Sequence, residues 1–123
     1  MRPRSAEFLD VARRKLKAAR VAFGAGLSQD AAGAAYYAML NAARAALSEE
    51  NLYAKTHRGV WTQFSATFVK TGRLDAHLAQ RAEKAREARE EADYGVGGAN
   101  AEEAETMIAH AEGFLAAVEA LFD

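Results

Sequence analysis

The chain has no cysteine. Disulfides, thiolate-held metals and a thiol nucleophile are therefore excluded. No apolar run approaches the length needed to span a bilayer, and residues 1–5 lack the apolar core of a leader peptide, so a cytoplasmic protein is expected. No stretch alternates apolar and polar residues in the two-residue period of a half-buried strand, and there is neither an internal repeat nor a low-complexity linker. What remains is a chain of 123 residues that reads as one all-α domain over 1–123, long enough to bury a core without staples.

The net charge of −1 conceals an asymmetry. Residues 1–27 carry seven Lys or Arg against Glu7 and Asp10, whereas residues 101–123 carry six acids and no Lys or Arg. A basic first segment could meet phosphates, but a basic first helix lying beside an acidic last helix is the simpler reading.

Residues 31–47, AAGAAYYAMLNAARAAL, organise the rest. The run is alanine-rich and free of proline, and Ala31, Ala35, Ala38, Ala42 and Ala45 recur at alternating steps of four and three beside a second stripe of Tyr36, Met39, Ala43 and Ala46. Two adjoining stripes predict a central helix buried on most sides, with alanines that let neighbouring helices approach closely. Ser5 is expected to cap a first helix ending near Phe23, before Gly24 and Gly26; Ser28 is expected to cap the central helix, which frays near residues 48–51. Residues 52–58 read as a loop. A short third helix follows to Gly72, with Val60, Phe64 and Phe68 on one face. The fourth begins at Leu74, becomes highly charged and ends at Asp93 and Tyr94; the fifth follows the GVGGAN loop, with Asn100 and Glu103 at capping-box spacing. The architecture expected is an up-and-down four-helix bundle with an additional short helix.

Three places join polar chemistry to an apolar stripe: Tyr36–Tyr37, Lys55–Thr56–His57, and the run from Arg86 to Tyr94. Lys55, His57 and Arg58 together would make a small cationic loop suited to phosphate, although a histidine there can equally hydrogen-bond a helix end. Arg86, Arg89 and Asp93 share a helix face at spacings of seven and four, which permits an internal ion pair as readily as a ligand site. Tyr36 and Tyr37 fit the core better than a base-stacking platform, because their helix is otherwise apolar. His77 and His110 stand alone on helices without a second ligand at metal spacing, so no metal and no cofactor is implied.

The YYAML run, KTH followed by Gly59–Val60, FVKTG, REEADYG, and a last helix carrying AEEAE and AEGF occur in one order across roughly residues 6–120. That ordered set resembles the small prokaryotic HEPN domains. The resemblance implies a helical bundle that pairs as a homodimer. It also implies a toxin–antitoxin setting with a minimal nucleotidyltransferase as antitoxin partner, and RNA or a nucleotide as ligand. Catalytic members of that family are metal-independent RNA endonucleases, in which an Arg and a His, four to six residues apart, face a cleft shared by two subunits. A guanidinium can hold the scissile phosphate while an imidazole moves a ribose proton.

This chain departs from that pattern. After Arg89 and four intervening residues stands Tyr94, after Arg86 and six stands Asp93, and no histidine follows His77 in this helix. An ordinary Asp is ionised at neutral pH and an ordinary Tyr keeps its proton, so neither substitutes for imidazole. The resemblance therefore assigns Arg86, Arg89 and Asp93 as the candidate catalytic patch, and Tyr36, Tyr37, Lys55, His57 and Tyr94 as candidate binding residues. Tyr94 matches a tyrosine that a partner antitoxin nucleotidylates in some relatives. A binding module with an incomplete nuclease motif is expected, with an endoribonuclease as the alternative.

Overall fold

A computed structural model describes the backbone of residues 1–93 and 98–123 and the side chains of residues 1–87 and 98–123. Five α-helices run in order: α1 Pro3–Gly24, α2 Ser28–Glu49, α3 His57–Phe64, α4 Ala76–Asp93 and α5 Ala101–Leu121, with no strand among the described residues. The four long helices form the bundle and α3 is the short addition, as the apolar spacing predicts.

α1 and α2 form an antiparallel pair with a small-residue seam. Ala12 and Ala19 of α1 and Ala31, Ala35, Ala38 and Ala42 of α2 are all fully buried. Tyr36, Met39, Leu40, Phe64, Phe68, Phe114 and Val118 fill the centre. A clasp closes the open end of the pair: the Arg2 backbone N–H donates to Glu49 at 2.9 Å and its guanidinium to Asn51 at 3.1 Å. The backbone donor, set against slight desolvation, holds the Glu49 carboxyl below its ordinary pKa. Opposite charge joins α1 to α5, where Arg13 meets Glu119 at 3.4 Å and Arg20 meets Glu112 at 3.3 Å. These pairs are half-exposed, so they choose the neighbour more than they stabilise it.

The helix ends correct several sequence expectations. Ser5 caps nothing: α1 starts earlier, because Pro3 brings its helical φ ready-made to the first turn, and Ser5 is buried inside the helix. Ser28 is likewise the first residue of α2, after Leu27 in the capping position, with no side-chain cap bond. α2 does not fray but stops sharply. Asn51 takes a left-handed φ of 60° and the Leu52 N–H reaches back to the Leu47 carbonyl at 2.9 Å. The loop expected over residues 52–58 is shorter, because Thr56 caps α3 through the Gly59 N–H at 2.9 Å and draws His57 and Arg58 into the helix. A Cβ at residue 59 would lie 2.9 Å from the Thr56 hydroxyl oxygen, so glycine there leaves room for the cap. Asn100 caps α5 as its spacing predicts, accepting from the Glu103 N–H at 2.8 Å.

α3 passes without a break into a π-helical turn, Ser65–Val69, in which the Lys70 N–H bonds the Ser65 carbonyl. Arg73 then anchors to Glu50 at 2.6 Å, beside the end of α2. At the other end of α4, Gly98 lies against Gln29 near the start of α2. These two anchors make α4 run back along α2, carrying its charged second half toward the level of Tyr36 and Tyr37.

Candidate functional site

Adjacent residues on a helix point about 100° apart, so Tyr36 and Tyr37 cannot share an environment. Tyr36 is fully buried and Tyr37 lies half-buried at the edge. The Thr56 cap sets His57 as the first residue of α3, and Trp61, four residues on, falls on the same face. Both reach Tyr36: the Trp61 Nε1–H donates to the Tyr36 hydroxyl oxygen at 3.2 Å, and His57 Nδ1 lies 3.3 Å from that same oxygen. A buried phenol needs such partners, and an indole N–H can only donate.

Ring contacts tie the group together. The Tyr37 ring meets the rings of Tyr36 at 5.6 Å and His57 at 5.8 Å, both edge-on, and Lys15 of α1 places its ammonium 6.0 Å from the Tyr37 ring centre. The cluster thus runs from a dry interior at Trp61, through Tyr36 and half-buried His57, to a cation at the surface. A phenol and imidazole fixed at the rim of a core can recognise a polar ligand or partner with little ordering cost.

Of the residues singled out from sequence, Tyr36, Tyr37 and His57 are brought together. Lys55 is exposed in the connection before α3, without a hydrogen bond or ion pair among the described residues, and Arg58 is exposed on the first turn of α3. Arg86 is half-buried on α4. Arg89 and Asp93 lie on α4, but their side chains, like the whole of Tyr94, fall outside the described residues. The sequence reading missed Trp61 and Lys15 as members of the cluster. The four-residue step from His57 to Trp61 was a usable signal; nothing local marked Lys15.

A separate groove of about 440 Å³ separates α4 from α5, lined among others by Arg81, Lys84, Glu103, Met107 and His110. Desolvation, followed by the charges of Arg81 and Lys84, pushes the His110 pKa down. Among the described residues no group of three His, Cys, Asp or Glu could hold a metal ion, and no helix is long and apolar enough to cross a membrane.

The HEPN domain model matches residues 5–121. A protein of Methanocaldococcus jannaschii named "Putative toxin MJ0605" is 36% identical over 107 residues, covering 87% of this chain and 80% of its own. Two proteins named UPF0332 are similar over greater lengths. One from Gloeobacter violaceus is 32% identical over 94% of this chain and 93% of its own; one from Thermotoga maritima is 33% identical over 99% of this chain and 88% of its own. The five-helix bundle, the ordered sequence runs and a match across nearly the whole length agree, and the chain belongs to the HEPN domain family.

Proposed function

We propose that this chain is the HEPN, toxin-side component of a toxin–antitoxin type pair. In this reading it is one cytoplasmic helical domain that works as a homodimer and binds a nucleotide or a minimal nucleotidyltransferase partner without cutting RNA by itself. The observation that carries the reading is the arrangement around Tyr36. Among the described residues the histidine at the cluster is His57, engaged with a buried phenol, while the sequence of the fourth helix offers guanidinium groups but no imidazole after His77. A patch of that kind can hold an anion but lacks an ordinary proton carrier beside the phosphate. The likeness to a relative whose name describes a toxin supports the setting.

The alternative is a metal-independent endoribonuclease, favoured by the half-buried position of Arg86, with Arg86 or Arg89 on the phosphate and Asp93 as an atypical acid–base group. Purified protein incubated with RNA in chelator separates the two. No cleavage is expected, and cleavage that Arg89→Ala abolishes would reverse the ranking. Light scattering should give twice the mass of the chain, and a strict monomer at micromolar concentration would remove the shared cleft. Growth of a host expressing the chain with and without its genomic neighbour tests the pairing.

A further inference from the structure

Although α2 is mostly alanine, one stripe of it is polar. Tyr37, Asn41, Arg44 and Ser48 follow one another at steps of four, three and four, which aligns them on one face. Asn41 and Ser48 are each 8% exposed, and the Asn41 amide donates one of its hydrogens to the Tyr37 carbonyl at 2.8 Å. Between them, Arg44 is half-buried, and its Nε is closed off from solvent without a hydrogen-bond partner. Arg13, Arg14, Arg20 and Arg73 have carboxylates within reach; Arg44 has no ion pair among the described residues.

A desolvated guanidinium N–H without an acceptor is destabilising, and native proteins rarely leave one. Arg44 is half-buried, so its guanidinium stays partly open to an acceptor from outside the chain. The antiparallel register fixed by Arg2 at Glu49 and Lys15 at Tyr37 sets the half-buried Phe8 and Val11 of α1 at the levels of Arg44 and Asn41. No acid stands on the stripe to compete.

We propose that Arg44, flanked by Asn41 and Ser48, is a binding site for a phosphate group on the outer face of α2. A guanidinium fork matches two oxygens of a phosphate or a carboxylate equally. The neutral donors one turn to either side decide between them: the second Asn41 amide hydrogen and the Ser48 hydroxyl can serve the further oxygens that a phosphate has and a carboxylate lacks. The site lies about two turns along α2 from Tyr37 and does not rest on the role proposed above for the Tyr36 cluster.

The test observes arginine Nε–H resonances of nitrogen-15-labelled protein, with the Arg44 signal assigned by its loss in Arg44→Lys. Inorganic phosphate, AMP and sodium acetate are titrated at constant ionic strength. Phosphate should shift the Arg44 Nε–H saturably while acetate does not, and Ser48→Ala should weaken phosphate binding several-fold with the fold intact by circular dichroism. Tighter saturation by AMP than by phosphate would identify a nucleotide as the source; equal saturation would identify free phosphate. An unsaturable shift, or an equal shift with acetate, overturns the proposal. If Arg44→Lys fails to fold, sequential assignment of the native protein identifies the Arg44 signal, so the result stands either way, and its failure leaves the HEPN reading untouched.

Discussion

α2 and α4 lie antiparallel and are similar in length, at 22 and 18 residues, yet they are built on opposite plans. α2 buries fourteen of its residues, Asn41 and Ser48 of its polar stripe among them. In the described part of α4, Ala82 and Ala85 are buried, Leu78, Ala79 and Arg86 are half-covered, and the rest faces solvent. The difference divides the labour of the fold. The alanine helix gains stability through close approach on several sides, and the charged helix, in its described part, turns most of its side chains to solvent.

That division can be broken by mutation. The largest effect should come from Met39→Ala in α2, which empties a fully buried side chain and should cost about 2–5 kcal/mol in urea unfolding; a loss below that range would mean the core is less tightly packed around α2 than the contrast requires. Next, Ala42→Leu overfills the buried seam and should cost about 1–3 kcal/mol, whereas Ala79→Leu on half-covered α4 should be nearly neutral. Equal effects on the melting temperature would erase the distinction. Tyr36→Phe removes the hydroxyl that accepts from Trp61 and should cost about 1–2 kcal/mol, with a change in tryptophan fluorescence.

The smallest effect concerns pH. The His110 pKa lies below 6.5 in the folded protein, first through desolvation and then through Arg81 and Lys84 across the groove on α4, with Glu102 and Glu103 on its own side of the groove. The unfolded chain therefore binds the proton more readily. The stability contributed by neutral His110 is present above pH 6.5 and is lost as pH falls through that value and then through the lower folded one. His110→Gln should flatten the dependence of melting temperature on pH between about 7 and 5; an unchanged slope would show that α4 and α5 do not constrain this imidazole.

Much of the bundle was legible because each long helix repeats its apolar residues every three or four positions, and burial follows that repeat from Leu9 and Leu16 in α1 to Ile108 and Leu115 in α5. The ends were less legible. Ser5 and Ser28 have the chemistry of caps, but Pro3 starts α1 before Ser5, and a turn with Gly26 at φ 80° places Leu27 ahead of Ser28. At the cluster, Tyr36, Tyr37 and His57 could be picked out as polar residues beside apolar stripes. Lys15 could not, because its contact with Tyr37 depends on the register of two helices and not on any neighbour in sequence. Arg44 lies inside the alanine-rich run, and the sequence does not show which of its nitrogens is shut away from water.

The π-helical turn at Ser65–Val69 has a consequence for length variation. A wide turn of this kind accommodates one residue more than an α-helical path, so the chain beyond it leaves with a shifted phase of about 100°. Deleting a single residue there would let the segment relax into an ordinary helix and rotate everything downstream, pulling Arg73 away from Glu50 and misaiming the start of α4. Indels at that bend should thus be tolerated far less than in the connection between α2 and α3, where slack can be absorbed before the next helix begins.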